Sequence, residues 1–168
     1  MIEWRDASLE DAALLGAIGR QSFTETFGHL YTPENLAAFL VNHSEANWRA
    51  ELADPEFAVR LGFVDGVNAA YAKLGPPKLP FEAQGPTIEL KQFYVLKPWH
   101  GAGLAGEMMA WVLAEAARRG AGAIHLSVFT ENVRAQRFYA RYGFVEVGRY
   151  AFMVGSHADE DIIMRLAL

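Results

Sequence analysis

Tyr94-Val-Leu-Lys-Pro-Trp-His-Gly-Ala-Gly-Leu-Ala-Gly106 is the stretch on which the reading of this chain turns. A strand-like run stops at Pro98, passes through a glycine-rich turn and runs straight into a helix. Gly101, Gly103 and Gly106, with the small Ala102 and Ala105, carry almost no side chain, so backbone N–H groups there can approach an anion closely. The free amides and positive dipole end of the following helix add to that attraction. Spacing alone leaves two readings open, a tight strand-to-helix corner or a phosphate cradle.

Working outward, Ile88 to Leu96 reads as the strand that feeds the turn. Leu104, Met108, Met109, Trp111, Val112 and Ala116 set out a helix that ends near Arg118-Arg119-Gly120, with basic residues and then glycine where helices stop. Ala123 to Phe129 is an apolar run of the kind buried on both faces of a sheet. Asn132 to Tyr142 is a second helix, stopped at Gly143. Phe144 to Val154 and Ile162 to Leu168 complete the order as strands, with Gly155 to Asp161 expected as the loop between them.

Upstream, Ile2 and Trp4 alternate with Glu3 and Arg5 as in a short half-buried strand. Ser8 is placed to cap a first helix over about residues 8 to 22. Thr32-Pro33 opens a second helix, and a short third one covers Ala46 to Leu52 before Asp54-Pro55. Phe57 to Val64 and Asn68 to Leu74 form a hairpin through Asp65-Gly66, and three prolines make Gly75 to Pro80 a loop. No internal repeat or low-complexity segment is present. The fold class is α/β, an α+β mixed sheet, expected as a single domain over residues 1–168.

Composition narrows the function. Of the 168 residues 52% are hydrophobic and 21% charged, with a formal net charge of −5, a balance that gives no support to nonspecific nucleic-acid binding and mildly favours a cationic small substrate over an anionic one. The chain has no cysteine, which excludes a disulfide framework, a thiolate metal site and a catalytic thiol. His29, His43, His100, His125 and His157 lack metal-binding spacing, so no metal is expected. His125, within an apolar strand, reads as a hydrogen-bonded sheet residue. With no signal peptide or membrane-length apolar run, the expectation is a cytoplasmic protein with no membrane partner.

Three segments then fall into one pattern: Glu89-Leu-Lys-Gln-Phe-Tyr-Val95, the turn His100-Gly-Ala-Gly-Leu-Ala105, and Asn132-Val-Arg-Ala-Gln-Arg-Phe-Tyr-Ala-Arg-Tyr-Gly-Phe144. Together they resemble the GCN5-related N-acetyltransferase superfamily, closely over residues 86 to 145 and by element order elsewhere. The resemblance implies a mostly antiparallel twisted sheet that splays after its fourth strand, with helices on both faces. It implies acetyl-CoA as the cofactor. His100, Gly101, Ala102, Gly103, Leu104, Ala105 and Gly106 would hold the pyrophosphate, and Phe93, Tyr94 and Val95 would hydrogen-bond the pantetheine arm through their backbone. Asn132 would reach the pantetheine, or cap its helix, or both. His100 stands where the family carries glutamine or arginine, so it either contacts phosphate or packs against Trp99. Arg134, Arg137 and Arg141 share a helical face that is either solvated or meets the adenosine phosphate.

Amide formation needs a neutral amine, donors for the carbonyl oxygen and a proton for the departing sulfur. The resemblance places Tyr139 as the acid at sulfur, where it otherwise reads as a core aromatic, and Glu89 as a base, a cation-binding acid or an edge residue of the sheet. Ser22-Phe-Thr-Glu-Thr-Phe-Gly-His-Leu-Tyr-Thr-Pro-Glu34 is similar to the acceptor wall of polyamine and small-amine members. Glu25, His29 and Tyr31 are its polar candidates. The implied activity is acetyl transfer to a primary amine of a small molecule, with a protein N-terminus or lysine, or a non-catalytic acyl-CoA sensor, as the alternatives. Homodimers are common among similar proteins, and Ile162, Ile163, Met164 and Leu166 fit either an interface or a core strand.

Overall fold

The computed structural model describes residues 1–168, and its seven strands form one sheet in the order β1-β2-β3-β4-β5-β7-β6. In chain order the elements are β1 (Ile2–Asp6), α1 (Ala12–Phe27), α2 (Pro33–Leu40), α3 (Glu45–Ala53), β2 (Ala58–Val64), β3 (Val67–Gly75), β4 (Thr87–Val95), α4 (Leu104–Arg118), β5 (Ala123–Phe129), α5 (Val133–Arg141), β6 (Val145–Val154) and β7 (His157–Ala167). Every pairing is antiparallel except β4 with β5. No helix is long and apolar enough to cross a membrane.

Local chemistry explains the element boundaries. The Asp65-Gly66 turn closes the β2–β3 hairpin with both residues at positive φ, 49° and 81°, as a two-residue hairpin turn demands. Thr32 caps α2 by accepting the Asn35 N–H at 3.2 Å, with Pro33 in the first turn. Ser8 opens a short 3-10 turn, where Asp11 accepts its N–H at 2.8 Å and is gripped by Arg5 at 2.8 and 2.7 Å. α1 starts behind that turn and runs five residues past the expected end at 22. His125 does lie in the sheet, hydrogen-bonded to the Thr87 hydroxyl at 2.6 Å and stacked on Phe81.

Helices cover both faces. On one, α4 and α5 bury Leu104, Met108, Met109, Val112 and Tyr139 against Leu90, Ile124 and Leu126. On the other, α1 and α3 bury Leu15, Ile18 and Trp48 against Leu61, Tyr71 and Leu96. Ile162, Ile163 and Met164 are buried because β7 is an interior strand between β5 and β6, so these residues belong to the core and are not free to form a subunit interface.

Two features of the sheet set the position of the central cavity and the charges around it. The β4–β5 ladder holds only from Thr87–Ala123 to Glu89–His125, after which β4 and β5 separate while β5 stays paired with β7 as far as Phe129 and Asp161. A register irregularity around Lys91 bends β4 at the point of separation. The second feature corrects the sequence reading: the turn after β6 is confined to Gly155-Ser156, and β7 begins at His157. The acidic run is strand, because Asp159 and Asp161 alternate inward while Glu160 faces solvent.

Candidate active site

The separation of β4 from β5 opens a cavity of about 970 Å³ that passes from one face of the sheet to the other. One end lies under the glycine turn and α5, and the other is enclosed by α1, α2, β6 and β7.

At the first end, Gly101 and Gly103 take φ of 81° and 87°, a conformation costly for any residue with a Cβ, and a Cβ at either would point into open space. The His100 and Ala102 amides close onto Lys97 and Trp99, and the first α4 amide to bond within the chain is that of Glu107, to Gly103. The N–H groups of Gly103, Leu104, Ala105 and Gly106 are therefore left at the helix N-terminus for an anion. His100, Gly101, Gly103, Leu104, Ala105 and Gly106 all line the cavity; Ala102, whose N–H is spent on the turn, does not.

Both His100 ring nitrogens have partners within the chain. Its Nε2 is 2.6 Å from the Val95 carbonyl and its Nδ1 is 2.9 Å from an Arg134 guanidinium nitrogen. A carbonyl can only accept and a guanidinium only donate, so Nε2 carries the proton and Nδ1 accepts. The ring thus ties the end of β4 to the glycine turn and aims Arg134. Arg134, Arg137 and Arg141 all line the cavity and none is ion-paired to a carboxylate, so the helical series noted in the sequence belongs to the site. Asn132 caps α5 through Oδ1, which accepts the Ala135 N–H at 3.3 Å, while its amide nitrogen stays available to the cavity.

Phe93, Tyr94 and Val95 line the gap, but not alike. The Leu96 N–H donates to Ala69 of β3, so by the alternation of an antiparallel ladder Tyr94 also turns its backbone to β3, and Phe93 and Val95 turn theirs to the gap. Tyr94 instead contributes its side chain on the α1 face, stacked on Tyr71. Tyr139, 8% exposed on α5, packs edge-on to Phe93 and Phe144, and burial pushes its phenol well above the ordinary value.

The other end is aromatic and acidic. Phe23 stacks on Phe39 with ring centroids 4.1 Å apart, and Phe27, Phe129 and Phe152 extend the wall. Tyr31 lines this end and its hydroxyl donates to Asp159, whose other oxygen is 3.0 Å from His157 Nε2. Beside it stands Asp161, 6% exposed, which burial and the neighbouring Asp159 push up to about 7. Neither aspartate stands out in the sequence, where both fall in the expected loop.

Besides Ala102, three expected residues do not line this cavity. Glu25 is spent on the Lys97 N–H at 3.4 Å and on Gln21, and His29 is exposed. The Glu89 carboxylate accepts the Lys78 N–H at 2.8 Å and pairs with Lys91 at 3.4 Å, beneath the proline-rich loop. It precedes the irregularity in β4 and belongs to the part of the strand still paired with β5, so the opening forms beyond it.

Comparison with known proteins fits this geometry. Residues 20–144 match the model of the acetyltransferase (GNAT) family. An uncharacterized N-acetyltransferase of Mycobacterium tuberculosis is 35% identical over 157 residues, covering 93% of this chain and 97% of that one. The PaiA N-acetyltransferase of Thermoplasma acidophilum, solved in complex with coenzyme A, superposes with a TM-score of 0.80 at 18% identity, over 100% of this chain and 99% of that one. A ribosomal-protein-alanine N-acetyltransferase of Brucella melitensis gives 0.69 at 23% identity, over 99% of each chain.

Proposed function

This chain belongs to the acetyltransferase (GNAT) family as an acetyl-CoA-dependent N-acetyltransferase, and we propose from that premise that its acceptor is the primary amine of a small molecule, attacked directly with both substrates in the one cavity. The observation that supports this reading is the polarity of the cavity: helix amides and unpaired arginines at one end, a buried carboxyl among aromatic rings at the other, and the β4–β5 gap between them.

The residues at the first end fit coenzyme A. Gly103 to Gly106 would hold the pyrophosphate through backbone N–H groups, Arg134, Arg137 and Arg141 would counter the remaining phosphate charge, and Phe93 and Val95 would pair with the pantetheine amides as an added strand does. Asn132 would donate to the same arm. The donor supplies an acyl thioester, an electrophilic carbonyl with a thiol leaving group. Within the protein, gap-facing N–H groups of Phe93 and Val95 can stabilise charge on the carbonyl oxygen. Tyr139 lines the cavity and its phenol is protonated at neutral pH, so it has a proton to offer to sulfur, although burial makes it a weaker acid than a free phenol. No acyl-enzyme on cysteine can form, since the chain has none.

The lack of cysteine also makes the test clean, because a thiol reagent reads only released coenzyme A. Thiol release from acetyl-CoA should require an added primary amine and match N-acetyl product one to one. Tyr139→Phe should lower kcat about 10–100-fold while the coenzyme A Kd moves less than threefold. Release at the same rate with and without amine, or an unchanged kcat in Tyr139→Phe, would remove this reading.

A further inference from the structure

The acceptor end of the cavity has an uneven supply of charge. Asp159 and Asp161 are its only carboxylates, and both oxygens of Asp159 are engaged, one by the Tyr31 hydroxyl and one by His157. Asp161 has no such partner. The polar group within its reach is the Ser127 hydroxyl on β5, itself the acceptor of the Tyr150 O–H at 3.1 Å. Phe23, Phe27, Phe39, Phe129 and Phe152 line the same cavity, with Tyr94 near enough to Asp161 to feel its charge.

An ammonium group entering this end finds one carboxyl, Asp161, whose oxygens are not already committed to other side chains. A second or third ammonium on the same molecule would lie among phenyl rings with no uncommitted carboxylate to receive it, since both Asp159 oxygens are already held, at a desolvation cost that the faces of the rings offset only in part. Resting on transfer to a small amine, the geometry points to Asp161 as the carboxylate that receives the acceptor's ammonium and takes its proton, and to an acceptor with one ammonium on a compact apolar body, not a polyamine.

Protons and electron pairs balance in this step. The ammonium gives one proton to Asp161, and the freed nitrogen pair forms the C–N bond to the thioester carbon as the C–S bond breaks. The Tyr139 proton goes to sulfur, and the second nitrogen proton, lost as the amide forms, restores Tyr139. Asp161 returns its proton to water. The sum is ammonium plus thioester giving N-acetyl amine, thiol and one proton. A carboxyl pushed up to about 7 suits a group that takes and releases a proton near neutrality. The titratable groups facing it are Asp159 on its own strand, Tyr150 on β6, Tyr31 ahead of α2 and Tyr94 on β4, with His157 behind Asp159; no cation shifts it.

Phenethylamine and isopentylamine, compared with putrescine and spermidine, test the inference through thiol release, alongside calorimetric binding of phenethylamine to the coenzyme A-loaded protein. The two apolar amines should exceed the polyamines at least tenfold in kcat/KM. Asp161→Asn should lose at least 100-fold in kcat at pH 7, flatten the acid limb of the pH–rate profile, and weaken phenethylamine binding about tenfold with an unchanged coenzyme A Kd and an undiminished Tm. Preference for spermidine, or an Asp161→Asn enzyme within threefold of wild type, overturns the inference and leaves the amine-transfer reading intact. Failure of every amine to release thiol from a folded, coenzyme A-binding protein overturns both.

Discussion

A carboxyl group 6% exposed and next to a second carboxyl opposes folding whenever it is charged, and Asp161 is such a group. Its folded value of about 7 lies above its ordinary 3.8, so between those limits the folded state holds the proton that the unfolded state has lost. The protein therefore loses stability as pH rises through this window, and the loss is complete above about pH 7. Asp161→Asn removes the effect. Its unfolding free energy should exceed that of wild type by up to a few kcal/mol at pH 8 and approach it at pH 5, read as a higher Tm at the upper pH; a Tm difference that is flat with pH would contradict the assignment. Asp11 has the opposite sign. The Arg5 guanidinium holds it below the ordinary carboxylate range, so its contribution is present above that range and is lost only as pH falls through its lowered value. His100 offers a second residue-level test. What the site uses is one acceptor toward Arg134 and one donor toward Val95, and a carboxamide can provide both. His100→Gln should keep coenzyme A affinity within about threefold, whereas His100→Ala should weaken it about tenfold as Arg134 loses its support; equal affinities for the two variants in calorimetry would show that the ring does not position Arg134.

The strand-turn-helix element separates what a glycine does for folding from what it does for binding. Gly103 sits at φ 87° with nothing near a Cβ, so Gly103→Ala should cost about 1–2 kcal/mol from backbone strain alone. Gly106 is helical, and the nearest atom to its Cβ is the Tyr142 hydroxyl at 3.8 Å. Gly106→Ala should stabilise the helix by up to about 1 kcal/mol and yet weaken coenzyme A, because the added methyl enters the amide cradle. Thermal melting and calorimetry on the pair would read opposite signs in stability and the same sign in affinity. This half of the site is legible in the sequence because its parts are local: the glycines, the helix start and the Asn132 cap each declare a backbone requirement within a few residues. The acceptor half is not. Its key contact joins Tyr31 to Asp159, 128 positions apart, and Asp159 and Asp161 resemble loop residues because they are charged. Their Asp-Glu-Asp alternation is the signal that could have found them, since inward acids on a strand can be told from a polar turn only by period. Glu89 misleads for a related reason: spacing along β4 does not reveal where the strand bends away from β5.

Across the whole molecule, a net charge of −5 conceals a division by face. Arg134, Arg137 and Arg141 stand unpaired where an anionic cofactor would lie, and Asp159 and Asp161 stand where a cationic acceptor would enter, with the β4–β5 gap the passage between them. Each substrate thus meets the opposite charge on its own side. The two ends should accordingly respond to salt differently. The arginines are exposed, so raising sodium chloride from about 50 to 500 mM should weaken coenzyme A several-fold, and Arg137→Gln should flatten that dependence. Asp161 is buried and screened less, so the KM of phenethylamine at saturating acetyl-CoA should move less over the same range. Coenzyme A affinity can be followed in the same samples by Tm, because a ligand at 100 times its Kd stabilises the folded chain by about 2.7 kcal/mol. If both substrates lost affinity in parallel with salt, and Arg137→Gln altered both, the charges would be acting as one field over the molecule and the division by face would not hold.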